Sequence, residues 1–137
     1  MGIGEIEALM KVSRSIAEDV QERCSKWSVP FTEENAMPAA YGFKGAVYTG
    51  LDTRSWTTED MEFAQGHLRI LSGLYGLLGP KDYMQPYRLE MGLKWPNTSE
   101  NKNLYSFWGS ELQLQIDQQA QGLIVDLASQ EYSKAAQ

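Results

Sequence analysis

Apolar residues recur at helical spacing through the first part of the chain. Ile3, Ile6, Leu9 and Met10 share one face, and Ile16, Ala17, Val20, Cys24 and Trp27 share another after Ser13. This pattern predicts a helical hairpin over residues 3–27, with Ser13 capping its second helix and Pro30 closing it. Thr32 then opens a third helix, with Glu33 and Glu34 in the first turn and Pro38 keeping it short or kinked. Gly42, Gly45 and Gly50 reduce residues 41–51 to a loop or a single helical turn. Thr57, with Asp60 three positions on, has the form of a capping box. The helix it opens carries Met61, Phe63, Ala64 and Leu68 and ends near Gly66.

Beyond that helix the pattern shortens. Residues 68–71 read as a buried strand that breaks into Ser72-Gly73-Leu74-Tyr75-Gly76. Residues 79–103 read as mostly irregular, punctuated by Pro80, Pro86, Gly92 and Pro96. Leu104, Phe107, Trp108, Leu112, Ile116 and Ala120 share a face of one long amphipathic helix that Gly122 stops. The clearest strand follows at residues 123–127, with Ser129 capping a last helix. The expectation is a helix-rich α/β fold with a short, incomplete sheet holding 68–71 and 123–127. Residues 1–137 form one partial domain: the hairpin at 3–27 and an α/β part at 57–137. Two strands make a poor sheet alone. Exposed apolar surface is therefore expected where further strands would dock, covered by self-association.

Composition narrows the classes. Four Trp, seven Tyr and four Phe exclude a disordered chain. No apolar run is long enough to cross a bilayer, and the acidic start at Gly4-Glu5-Ile6-Glu7 does not read as a signal peptide. Cys24 is the single cysteine, so an internal disulfide is excluded and a cytoplasmic setting is the default. The formal charge of −6 is a poor general match for nucleic acid, so any DNA contact must come from local arrangement.

Two constellations carry candidate chemistry. Ligands collect at the carboxyl ends of strands in α/β sheets. Those ends bring forward Ser72 and Tyr75 after the first strand, and Glu131 and Tyr132 at a helix start suited to an anion. Arg88 offers a two-pronged clamp for phosphate or carboxylate, and Lys44 is a cation beside Gly45. Turn, cap and ion-pair roles fit the same six residues. His67, the single histidine, has no metal-binding spacing around it and suits a helix C-terminus. The second constellation is Leu9-Met10-Lys11-Val12-Ser13-Arg14-Ser15-Ile16-Ala17, which has the spacing of a helix-hairpin-helix unit. Lys11, Ser13 and Arg14 would present amides and charge to a DNA phosphate, although Lys11 and Ser13 stand where such hairpins carry glycine. A plain αα-hairpin fits the same spacing.

Five blocks in order go further. Phe43-Lys44-Gly45-Ala46-Val47-Tyr48-Thr49-Gly50-Leu51 is the first and Leu71-Ser72-Gly73-Leu74-Tyr75-Gly76 the second. The third runs over residues 84–92, the fourth is Tyr105-Ser106-Phe107-Trp108-Gly109, and the fifth is Leu127-Ala128-Ser129-Gln130-Glu131-Tyr132. Together they resemble the YaaA family of peroxide-stress-resistance proteins. The resemblance covers nearly the whole chain but about half of a family member, lacking an N-terminal Ser-Pro-Ala-Lys strand and a more basic C-terminal part. It implies a cytoplasmic protein that limits hydrogen peroxide damage by holding down available iron. It also implies binding of duplex or branched DNA, with weak sequence preference, through a helix-hairpin-helix element carried onto Lys11, Val12, Ser13 and Arg14. It brings no catalytic residue and no cofactor, so a non-enzymatic role is favoured. The rival is a small-molecule enzyme with an anion or nucleotide pocket at the strand ends.

Overall fold

The hairpin forms where the periodicity places it. In the computed structural model, which describes residues 1–94 and 102–137, helix α1 spans Ile3–Met10 and helix α2 spans Arg14–Lys26. Lys11 turns the chain between them in a left-handed conformation, φ 53° and ψ 46°. Ile6, Ala17 and Val20 are buried in the seam, with Ile3, Met10, Val12 and Ile16 packed around them. Cys24, expected on this face, is exposed. The eight residues of α1 cover about 12 Å, whereas the thirteen of α2 run to about 20 Å, so the last turn of α2 outreaches its partner.

The chain divides into two compact units. The first comprises Met1–Ser25, Leu71–Leu77 and Tyr87–Gln137. Besides the hairpin it holds helices α6 (Leu104–Trp108), α7 (Glu111–Gln119) and α8 (Gln130–Ser133). Met91, Leu112 and Ala135 form its second core, packed by Leu71, Leu77, Leu104, Tyr105, Trp108 and Tyr132. The single long helix expected over 104–120 is thus two helices. Gly109 divides them at φ 51°, a backbone state that a helix interior cannot hold.

The second unit comprises Lys26–Ile70 and Leu78–Pro86. Strand β1 (Met37–Pro38) pairs antiparallel with β4 (Tyr83–Met84), in the register Met37 with Met84 and Pro38 with Tyr83. Short helices α3 (Ala39–Gly42) and α4 (Ala46–Leu51) follow β1. Helix α5 (Thr58–His67) starts with the expected capping box: Asp60 N–H donates to Thr57 Oγ1 at 3.1 Å, and Thr57 N–H donates to Asp60 Oδ2 at 2.9 Å. Gly66 stays inside the helix, which closes one residue later. The helix expected from Thr32 is instead a turn. Asn35 organises it, taking Thr32 N–H on Oδ1 and donating from Nδ2 to Ser28 Oγ and Pro30 O.

Strand β2 is Ile70–Ser72, slightly later than expected, and it pairs with β3 (Gly76–Leu78) across the glycine-rich break. The fold is helix-rich α/β with two small two-stranded sheets among the described residues. The expected sheet holding both the first strand and 123–127 does not form. Closing a three-residue loop costs far less chain entropy than joining segments fifty residues apart, and Gly76 supplies the left-handed turn at φ 76°. Residues 123–127 belong to neither sheet. Pro96 lies outside the described residues.

Candidate functional site

The sequence-predicted DNA contacts stand at one hairpin. Lys11, Ser13 and Arg14 are all exposed there. The Lys11 and Val12 N–H groups donate back to Glu7 O and close α1, so they are spent on the fold. The N–H groups opening α2 have no acceptor within the helix and carry the positive end of its dipole. Lys11 makes no ion pair among the described residues, while Arg14 Nε meets Glu18 Oε1 at 3.1 Å. Both groups of that pair are exposed and screened, so it holds Arg14 only loosely. Further along α2, Arg23 grips Asp19 through two bonds of 2.7 and 2.9 Å. That grip, aided by the charge of Arg88, keeps the Asp19 carboxyl below its ordinary range.

Ser72 and Tyr75 meet in the turn between β2 and β3. Ser72 is fully buried; its Oγ lies 2.7 Å from the Tyr87 hydroxyl and accepts the Tyr75 N–H at 2.9 Å. The Tyr75 and Tyr87 rings meet edge to face at 5.5 Å. Burial pushes the Tyr87 phenol above its usual value, opposed by hydrogen bonds from Ser72 and from the Gly73 and Leu74 amides. Tyr87 therefore stays a neutral phenol at physiological pH, and this network holds a turn in place. Trp108 completes it by donating from Nε1 to Gly73 O at 3.1 Å. The packing leaves no spare room: a Cβ on Gly73 would lie 2.9 Å from Leu89 O.

The other candidates are placed as ties. Arg88 reaches Glu90 at 3.7 Å. Glu131 accepts the Gly92 N–H on Oε1 at 3.2 Å, and its backbone carbonyl accepts the Tyr105 hydroxyl at 3.0 Å. Tyr132 packs on the core around Met91. Lys44 belongs to the other unit, exposed beside Gly45 and with no ion pair among the described residues. That unit has an open hollow of about 480 Å³ lined by Leu51, Trp56, Asp60, Phe63, Ala64, His67 and Leu68, and none of the predicted site residues faces it. His67 stacks on Phe63 at 4.0 Å and donates from Nδ1 to Phe63 O at 2.7 Å, the helix-end role expected of it.

Sequence reasoning left Tyr87 and Trp108 outside the candidate set. Each is fifteen or more residues from its partner in the turn, and no spacing rule connects them. Among the described residues no group of three or more His, Cys, Asp and Glu side chains is arranged to hold a metal ion. No helix there is long and apolar enough to cross a membrane.

Comparison with known proteins places these motifs. A family model described as "Peroxide stress protein YaaA" matches residues 1–137. The chain belongs to the YaaA family. A UPF0246 protein of Aliivibrio fischeri strain MJ11 is 52% identical over 135 residues, covering 96% of this chain and 52% of that protein. UPF0246 proteins of Colwellia psychrerythraea and Saccharophagus degradans are 50% and 48% identical over the same coverage. The chain thus spans about half the length of the curated relatives it matches. The family description is that of a peroxide stress protein.

Proposed function

We propose that this YaaA chain serves a cytoplasmic peroxide-stress protein by docking on DNA through its α1–α2 hairpin, as part of limiting iron-dependent damage. The observation that carries the reading is the hairpin itself. Lys11, Ser13 and Arg14 stand exposed together where a thirteen-residue helix begins, and Lys11 has no carboxylate partner among the described residues. Phosphate oxygens are the anions that such a corner takes without reading bases, which gives affinity with little sequence preference. The net charge of −6 confines the attraction to this corner and keeps it weak.

The test is duplex binding by fluorescence anisotropy. Two phosphate contacts predict an affinity loss of about tenfold between about 50 and 200 mM salt. Lys11→Glu with Arg14→Glu should weaken binding further at low salt. Binding that ignores salt, or that survives the double substitution, refutes the reading.

The second reading, a small-molecule enzyme, draws on Ser72, Tyr75, Glu131 and Tyr132 belonging to one unit. The Ser72 hydroxyl and the Glu131 carboxylate are already engaged in holding the turn and the Gly92 amide, which weighs against it.

A further inference from the structure

Leu123, Ile124, Val125 and Leu127 are 94%, 52%, 66% and 74% exposed, although they make the most strand-like run in the chain. Among the described residues no backbone hydrogen bond joins 123–127 to another segment. Asp126, the one polar member, is exposed and turned back on the residues that follow it. Its Oδ1 accepts Ala128 N–H at 2.9 Å and its Oδ2 accepts the Ser133 hydroxyl at 2.5 Å.

A strand with one wet face alternates apolar and polar residues. A near-continuous apolar run is the mark of a strand covered on both faces within a sheet. At strand spacing Leu123, Val125 and Leu127 share one face and Ile124 shares the other with Asp126, so covering the first face alone leaves Ile124 wet. The segment also carries unpaired N–H and C=O groups along both of its edges, which an interior strand satisfies with two neighbours. The occupant must therefore bring strands as well as apolar cover. The relatives have further chain from which such strands could come: the matched 135 residues make up only 52% of their length.

We propose that residues 123–127 form an interior β-strand whose flanking strands come from the part of the YaaA polypeptide outside those 135 residues. This assignment is independent of the DNA reading. The occupant is a covalent neighbour rather than a second copy, because a copy would offer only this same strand and could pair one edge of it, leaving the other open.

Hydrogen exchange read by mass spectrometry tests it. One sample is this chain alone, at two concentrations a hundredfold apart. The other is this chain grafted in place of the matching residues of the Aliivibrio fischeri relative, with its monomeric state checked by light scattering. The amides of 124–127 should exchange rapidly in the chain alone at both concentrations and at least about a hundredfold more slowly in the graft. Val125→Lys, at an exposed position in this chain, should leave α2 amide protection intact in the chain alone and abolish the protection of 124–127 in the graft. Protection that grows with concentration in the chain alone would assign the strand to self-association and overturn the proposal. Rapid exchange of 124–127 in a monomeric graft whose α2 amides are protected would overturn it equally.

Discussion

Replacing Gly76 by alanine should be among the most damaging single-methyl additions in the molecule. Gly76 holds φ 76°, where an L-residue costs about 1–2 kcal/mol. The added Cβ would also lie 2.8 Å from Trp108 Cη2, 3.0 Å from Cζ3 and 3.3 Å from Leu112 Cδ2. Neither neighbour is free to yield: Trp108 Nε1 is tied to Gly73 O, and Leu112 is fully buried. Overpacking against a fixed wall adds about 1–3 kcal/mol. The sum, roughly 2–5 kcal/mol, is a large part of the total stability of a domain this size. Urea unfolding followed by tryptophan fluorescence and far-ultraviolet circular dichroism measures it. Gly92→Ala is the control, since no atom lies within 4 Å of its added Cβ and its φ is not positive; it should stay within about 0.5 kcal/mol. In a Trp108→Phe background the steric part should shrink, leaving about 1–2 kcal/mol of backbone strain. A Gly76→Ala loss under about 0.5 kcal/mol would refute the claim that this turn is wedged against Trp108.

Removing the buried hydroxyl in Ser72→Ala takes one hydrogen-bond partner from the Tyr87 phenol and the acceptor of the Tyr75 N–H and should cost about 1–3 kcal/mol; with Tyr87→Phe added, the loss should fall short of the sum of the two single losses in urea melts. Gly66→Ala, inside α5 with open space around the new Cβ, should instead stabilise by roughly 0.5–1 kcal/mol, seen as a higher denaturation midpoint. Gly109→Ala meets no atom either but sits at φ 51° and ψ −124°, so it should cost about 1–3 kcal/mol through strain alone. Hydrogen bonds from Ser133 and from the Ala128 amide hold Asp126 below its ordinary carboxylate pKa. The unfolded chain thus takes up a proton first, and the Asp126 contribution is complete above the ordinary carboxylate range and lost as pH falls through the folded value. Acid unfolding followed between about pH 5 and pH 2 should show a shallower loss in Asp126→Asn.

Local signals transferred well from sequence to structure. The seam of Ile6, Ala17 and Val20 and the Thr57–Asp60 box involve residues within a few turns of one another, where the 3.6-residue period and cap chemistry decide the outcome. The failures have local causes that compete with the pattern. The apolar stripe from Leu104 to Ala120 survives a break at Gly109, because a stripe records which residues are apolar and not the backbone angle between them. At Thr32 the acidic first turn favoured a helix, but the Asn35 side chain satisfied the same backbone groups in a turn.

The candidate site divides along the same line. Ser72 and Tyr75 were legible because a glycine-rich break demands a special backbone. Their partner Tyr87 was not, since a hydroxyl fifteen residues away is chosen by tertiary packing that no period records. Two of the polar residues marked as ligand-facing are turned to the protein's own backbone: Ser72 to the Tyr75 amide and Glu131 to the Gly92 amide. Chain breaks between short elements leave many N–H and C=O groups without ladder partners, and side chains from distant segments answer them. A polar residue at such a break is therefore more informative about what holds the turn than about what binds there. Lys11 escapes that explanation, because its ammonium makes no ion pair among the described residues at a corner whose backbone is already closed by Glu7. That contrast is why the functional reading rests on the hairpin and not on the strand ends.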